Sequence, residues 1–192
     1  MMKKQAALLA VALMVVLSGC GKNADNGKAD SPASTVASNH GDSHSHAGME
    51  HSGSGELPAG LKDAANPSFA VGSKAILETD HMPGMKGAEA TIAGAYETTV
   101  YSVSYDPTTG GDRVTNHKWV IHEELKDAGQ AAYAPGAEVI LVADHMKGMD
   151  GAAATVDSAE QTIVYMVDYT PTTGGEPVRN HQWVTENELA KP

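Results

Sequence analysis

The chain repeats itself. Residues 71–125 align without a gap on 135–189 at an offset of 64, and 30 of the 55 aligned pairs are identical. A gapless match of that length predicts that each copy is one folding unit, joined by a short connector from Lys126 to Ala134. The repeat units are bounded as 61–128 and 129–192. Each is near the lower size limit for an independent hydrophobic core, so only a small, economical fold fits.

The pattern within a copy is β. Ala75–Glu78 and Glu138–Val142 read as first strands, Ala90–Ile92 and Ala154–Val156 as second strands. Thr99–Tyr105 and Ile163–Tyr169 alternate β-branched and aromatic residues with others, as a half-buried strand does. Asp106–Gly111 and Thr170–Gly175 are turns, because proline presets one dihedral and glycine permits positive φ. Lys118–Val120 and Gln182–Val184 supply a last short strand, before an acidic stretch that ends at Leu125 or Leu189. Four or five short strands with one Trp per copy predict a mainly β chain of two tandem, SH3-like barrels. A two-layer α+β unit is the alternative.

The N-terminus predicts export. Lys3 and Lys4 precede an apolar run, Ala6 to Leu17, and then Leu17-Ser18-Gly19-Cys20, which reads as a signal peptide (1–19) closed by a lipobox. The run is short for a spanning helix, which disfavours an uncleaved anchor. Cys20 is the only cysteine, so no intrachain disulfide and no Cys-based zinc site is available. Its thiol is assigned to lipidation, which would hold the mature chain to the extracytoplasmic face of a bacterial membrane. From Cys20 to about Gly60 the chain is mostly small and polar, and predicts a disordered tether. Without Lys3 and Lys4 the chain carries 11 basic against 24 acidic residues, a balance that repels nucleic acid and attracts cations.

Metal chemistry is the strongest functional signal. The loops Asp80-His81-Met82-Pro83-Gly84-Met85 and Asp144-His145-Met146-Lys147-Gly148-Met149 place one His and two Met in the same register of both copies. Thioethers select Cu(I) and imidazole accepts copper in either oxidation state, so His81, Met82, Met85, His145, Met146 and Met149 are candidate copper ligands. The glycines would let these side chains converge. The competing role of the Met residues is to plug the end of a barrel, where flexible thioethers fill irregular gaps. His117 and His181, in the repeated Asn-His-x-Trp, would complete a site if the last strand lies beside its own loop; otherwise they are core histidines bonded to Asp80, Asp144 or backbone. In the tether, His40, His44, His46, Met49 and His51 form a run suited to Cu²⁺, Zn²⁺ or Ni²⁺ with little discrimination; the alternative is an inert polar linker. No nucleophile elbow, catalytic triad or phosphate-binding loop is present, and the carboxylates read as a solvated acidic surface, so the chain is not expected to be an enzyme.

The lipobox, the His/Met-rich linker and the two His-Met-x-Gly-Met, Thr-Thr-Gly-Gly and Asn-His-x-Trp-Val units resemble the YdhK family of bacterial surface lipoproteins. The resemblance implies paired small β domains at the cell surface, and similarity to copper-binding lipoproteins that protect cells from copper. Lys147, where the first copy has Pro83, departs from strict repetition. Two functions follow as expectations: copper binding or sequestration, or a pair of SH3-like modules that contact cell-wall polymer or a partner protein through Tyr101, Tyr165 and the Trp residues.

Overall fold

The longest strands form where the sequence holds no turn signal. In the computed structural model, which describes residues 53–192, the segments 90–92 and 99–105 are two ends of one 17-residue strand, and so are 154–156 and 163–169. Nothing between them breaks an extended chain: residues 93–98 contain no proline, and their one glycine serves a bulge. Gly94 sits at a register shift, with the Tyr96 ring folded over it so closely that a Cβ there would run into the Tyr96 hydroxyl.

In chain order the strands are β1 (Lys62–Asp63), β2 (Lys74–Leu77), β3 (Glu89–Tyr105), β4 (Val114–Ile121), β5 (Glu138–Ile140), β6 (Ala153–Tyr169), β7 (Val178–Thr185) and β8 (Leu189–Ala190). Single 3₁₀ turns, His122–Glu124 and Glu186–Glu188, follow β4 and β7. All pairings are antiparallel, in one open eight-stranded sheet. The chain is therefore mainly β as expected, but its strands make a sheet with edges rather than two closed SH3-like barrels. The barrel expectation counted β3 and β6 as two short strands each; as single long strands they pair with one another instead of curling within a copy.

β3 and β6 lie side by side along their whole length, and Thr98 faces Thr162. These two residues are 64 apart, the repeat offset, so an approximate two-fold axis passes between them. The consequence is that neither copy owns a core. One core joins Leu77, Met85, Ala90 and Ile92 of the first copy to Tyr165, Val167, Tyr169 and Val184 of the second. The other joins Tyr101, Val103, Tyr105 and Val120 to Leu141, Met149, Ala154 and Val156. A third cluster gathers Tyr96, Val100, Trp119, Ile121, Val164 and Trp183, again from both copies. Instead of one core per copy, the halves are exchanged, and each core draws on both copies, an arrangement that suits copies near the lower size limit for a core of their own.

The exchange also explains two retained motifs. The Thr172 N–H donates to the Gly84 carbonyl at 2.8 Å, and the Thr108 N–H donates to the Gly148 carbonyl at 2.9 Å, so each Pro-Thr-Thr turn docks on the other copy's loop. Gly84 and Gly148 have φ of +78° and +81°, and a Cβ on either would lie 2.5 Å from a threonine hydroxyl of the docked turn. Only glycine fits there.

The signal peptide 1–19, Cys20 and the tether residues His40, His44, His46, Met49 and His51 lie outside the described residues. Of the stretch read as tether, residues 53–56 are held along β7: the Gly53 N–H donates to the Arg179 carbonyl at 2.9 Å, and the Gln182 amide donates to the Glu56 carbonyl.

Candidate functional site

Both loops lead their histidine onto a glutamate, buried at Glu124 and partly buried at Glu188, where the sequence alone suggests only a solvated acidic surface. His81 Nε2 lies 2.7 Å from Glu188 Oε1, and His145 Nε2 lies 2.7 Å from Glu124 Oε1. Each glutamate closes a 3₁₀ turn and accepts from the backbone N–H three residues back, Thr185 and Ile121 respectively, at 2.9 and 3.0 Å. The repeated Trp completes each hub: Trp119 Nε1–H donates to Glu188 at 2.8 Å, and Trp183 Nε1–H donates to Glu124 at 3.1 Å. Hence Glu188 gathers Trp119 and His81 from the first copy, while Glu124 gathers His145 and Trp183 from the second. The signal for these residues was in the repeat, since Glu124 and Glu188 match at the offset while their neighbours Glu123 and Asn187 do not.

The hydrogen bonds set the electrostatics. Burial pushes the Glu188 carboxyl up, but the His81 hydrogen bond and charge, with donors from Thr185 and Trp119, outweigh it and hold the group down at about 2. Burial, then the charges of His145 and His81, push His117 down to about 4, so its ring is neutral at neutral pH. Among buried side-chain nitrogens, His81 Nδ1, His145 Nδ1 and His117 Nε2 have no hydrogen-bond partner.

The candidate ligands separate into two groups. Met85 and Met149 have no exposed surface and pack inside the two cores, with no barrel end for them to plug. Met82 is half-buried against the first core, and Met146 is half-buried in the equivalent loop. His117 lies beside the other copy's loop: its ring centre is 6.2 Å from that of His145, and its edge meets Tyr105 at 6.1 Å. His181, its repeat partner, packs edge-on to Tyr169 at 5.9 Å. Asp80 and Asp144 are exposed, and the carboxylates that hold the loop histidines are Glu188 and Glu124 instead. Among the described residues no three His, Cys, Asp or Glu side chains converge as a metal cluster. Tyr101, Tyr165 and Trp183 have no exposed surface and Trp119 has 8%, so the aromatic contact face expected for a wall-binding module is absent from these residues. Their hydroxyl and indole groups instead serve internal bonds, such as Tyr101 Oη to His122 Nδ1 at 2.8 Å and Tyr165 O–H to Glu186 at 2.7 Å.

An open antiparallel sheet built from two interlocked copies, with one carboxylate–histidine–indole hub at each loop, defines a pseudo-symmetric β protein whose hub residues are repeated. The chain belongs to the family described as protein of unknown function DUF1541, whose model matches residues 71–122 and again 135–186. It is 57% identical over 183 residues to the uncharacterized protein YdhK of Bacillus subtilis (strain 168), covering 95% of this chain and 86% of that one. A crystal structure of the B. subtilis DUF1541 family protein YdhK matches with a TM-score of 0.73 at 62% identity, over 75% of this chain and 98% of that chain. A solution structure of the YdhK C-terminal domain matches with a TM-score of 0.62 at 65% identity, over 64% and 93%.

Proposed function

We propose that this protein is lipidated at Cys20, displayed on the extracytoplasmic face of a bacterial membrane, and binds copper so as to sequester it, acting by binding rather than catalysis. The observation that carries the reading is the state of the loop histidines. In each hub one ring nitrogen is tied to a carboxylate, buried at Glu124 and partly buried at Glu188, while Nδ1 is buried and unpartnered. That is how proteins prepare a metal-ligating histidine: the carboxylate fixes the ring and raises the basicity of the nitrogen that bears the lone pair. The adjacent Met82 and Met146 supply thioethers at the same loops, which favours a soft ion over Mg²⁺ or Ca²⁺. Met85 and Met149 support the loops from below. The tether histidines act as an auxiliary, unselective store.

The test is a Cu(I) titration of the full chain against a competing chelator, with His40, His44, His46 and His51 changed to Ser and Met49 to Leu. Copper should remain bound in this background and be lost on adding His81→Gln and His145→Gln. Binding that disappears with the tether residues alone, or is absent altogether, contradicts the reading.

A further inference from the structure

Resting on that copper reading, we propose that one Cu(I) ion is held between the two copies by His117 Nε2 and His145 Nδ1, with Glu124 as the residue that orients His145. The two rings come from different copies, and their centres are 6.2 Å apart with an interplanar angle of 38°. With metal–nitrogen bonds of about 2 Å, one ion between two imidazoles sets ring centres at roughly this separation. Both nitrogens are buried and unpartnered, a state that a ligand relieves.

The size of the donor set selects the ion. Zn²⁺ in a structural site takes four ligands, and Cu²⁺ takes a tetragonal set; neither is available where no three His, Cys, Asp or Glu side chains converge among the described residues. Cu(I) is stable with two nitrogens in line, and Met146 on the same loop offers a third, soft donor. The second nitrogen of His145 is already committed to Glu124 at 2.7 Å, so only Nδ1 remains for the ion.

The most direct experiment uses the full chain, with the tether histidines and Met49 replaced as above, and Ag(I) as a diamagnetic stand-in for Cu(I), followed by ¹⁵N resonances of the histidine rings. His117 Nε2 and His145 Nδ1 should shift together on one equivalent of ion. In parallel Cu(I) titrations, His117→Gln should lose one tightly held equivalent, with at least a tenfold weaker affinity for what remains at that site. His122→Gln, whose ring is bonded to Tyr101 and the Gly129 carbonyl, should keep that equivalent. A shift of His145 without His117 overturns the two-copy site while leaving loop binding of copper intact. No response from these rings or from His81 overturns both. The resonance readout needs no substitution at the site, so a misfolded variant does not blunt the test.

Discussion

The two hubs share a plan but not a degree of insulation. Around Glu188 the first-copy loop supplies Thr79 as well as His81, and Thr185 donates through both its N–H and its hydroxyl, so the carboxylate has five donors. Around Glu124 the matching positions are Ala143 and Ile121, which have no hydroxyl, and three groups do the same work: His145, Trp183 and the Ile121 N–H. The poorer set is the drier one. The side chains of Glu124 and Glu188 are 5% and 15% exposed. Trp183 is covered edge-on by Tyr96 at 5.7 Å, whereas Trp119 carries the Lys118 ammonium at 5.0 Å. After duplication the carboxylate, histidine and indole stayed, while accessory donors and covering groups drifted. The retained triad is the part that neither hub can replace.

The largest effect is expected from separating the copies. A chain of residues 61–128 alone should have no folded monomer, because each core draws half its side chains from the other copy. At high concentration two such chains should pair about the Thr98 position in place of the β3–β6 contact. Sedimentation and amide NMR check this, and a stable folded monomer would refute the exchange of halves.

Next in size is loss of either carboxylate. Glu124→Ala strands the His145 and Trp183 donors in a dry site and should cost about 3–5 kcal/mol by chemical unfolding. Glu188→Ala should cost less, because the Thr79 and Thr185 hydroxyls remain beside His81 and Trp119 and water reaches the site more easily. The opposite order would mean that donor number outweighs burial.

Acid should separate the contribution of the Glu188 hub from that of His117 in the metal-free protein. Glu188 is held at about 2 against an ordinary 4.5, a depressed folded value, so its contribution is complete above pH 4.5 and is lost as pH falls toward 2. His117, down at about 4 from 6.5, is also depressed, so its contribution is complete above pH 6.5 and is lost as pH falls toward 4. Unfolding midpoints from pH 7 to 2 should therefore show two declines. Glu188→Gln should remove the lower one, and His117→Gln the upper.

The smallest change exchanges the accessory donors. Thr79→Ala should cost about 1 kcal/mol, the worth of one hydrogen bond to a partly exposed carboxylate. A gain from Ala143→Thr by a similar amount would show that the Glu124 hub tolerates a further donor.

Much of this was legible in the residues, and the failures have physical causes. The strand segments, the Pro-Thr-Thr-Gly-Gly turns and the repeat offset all follow from local chemistry, since alternation and glycine act on the backbone nearby. The partner of each element did not follow. Nothing in Thr99–Tyr105 says that its neighbour is 161–154 rather than a strand of its own copy, because similar halves satisfy either arrangement. For the same reason His117 was placed beside its own loop, when the structure sets it beside His145. Glu124 and Glu188 were hidden among 24 acidic residues. Only the comparison of Glu123 with Asn187 marks their neighbours as the retained pair.

A double-mutant cycle on unfolding free energy tests the central claim, that each hub is shared across the halves of both copies. His81→Gln and Glu188→Gln, in different copies, should couple by about 1 kcal/mol or more, while His81→Gln and Glu124→Gln, within one copy, should add to within about 0.5 kcal/mol. Coupling confined to the pair within one copy would contradict the interlocked fold and the sites built on it.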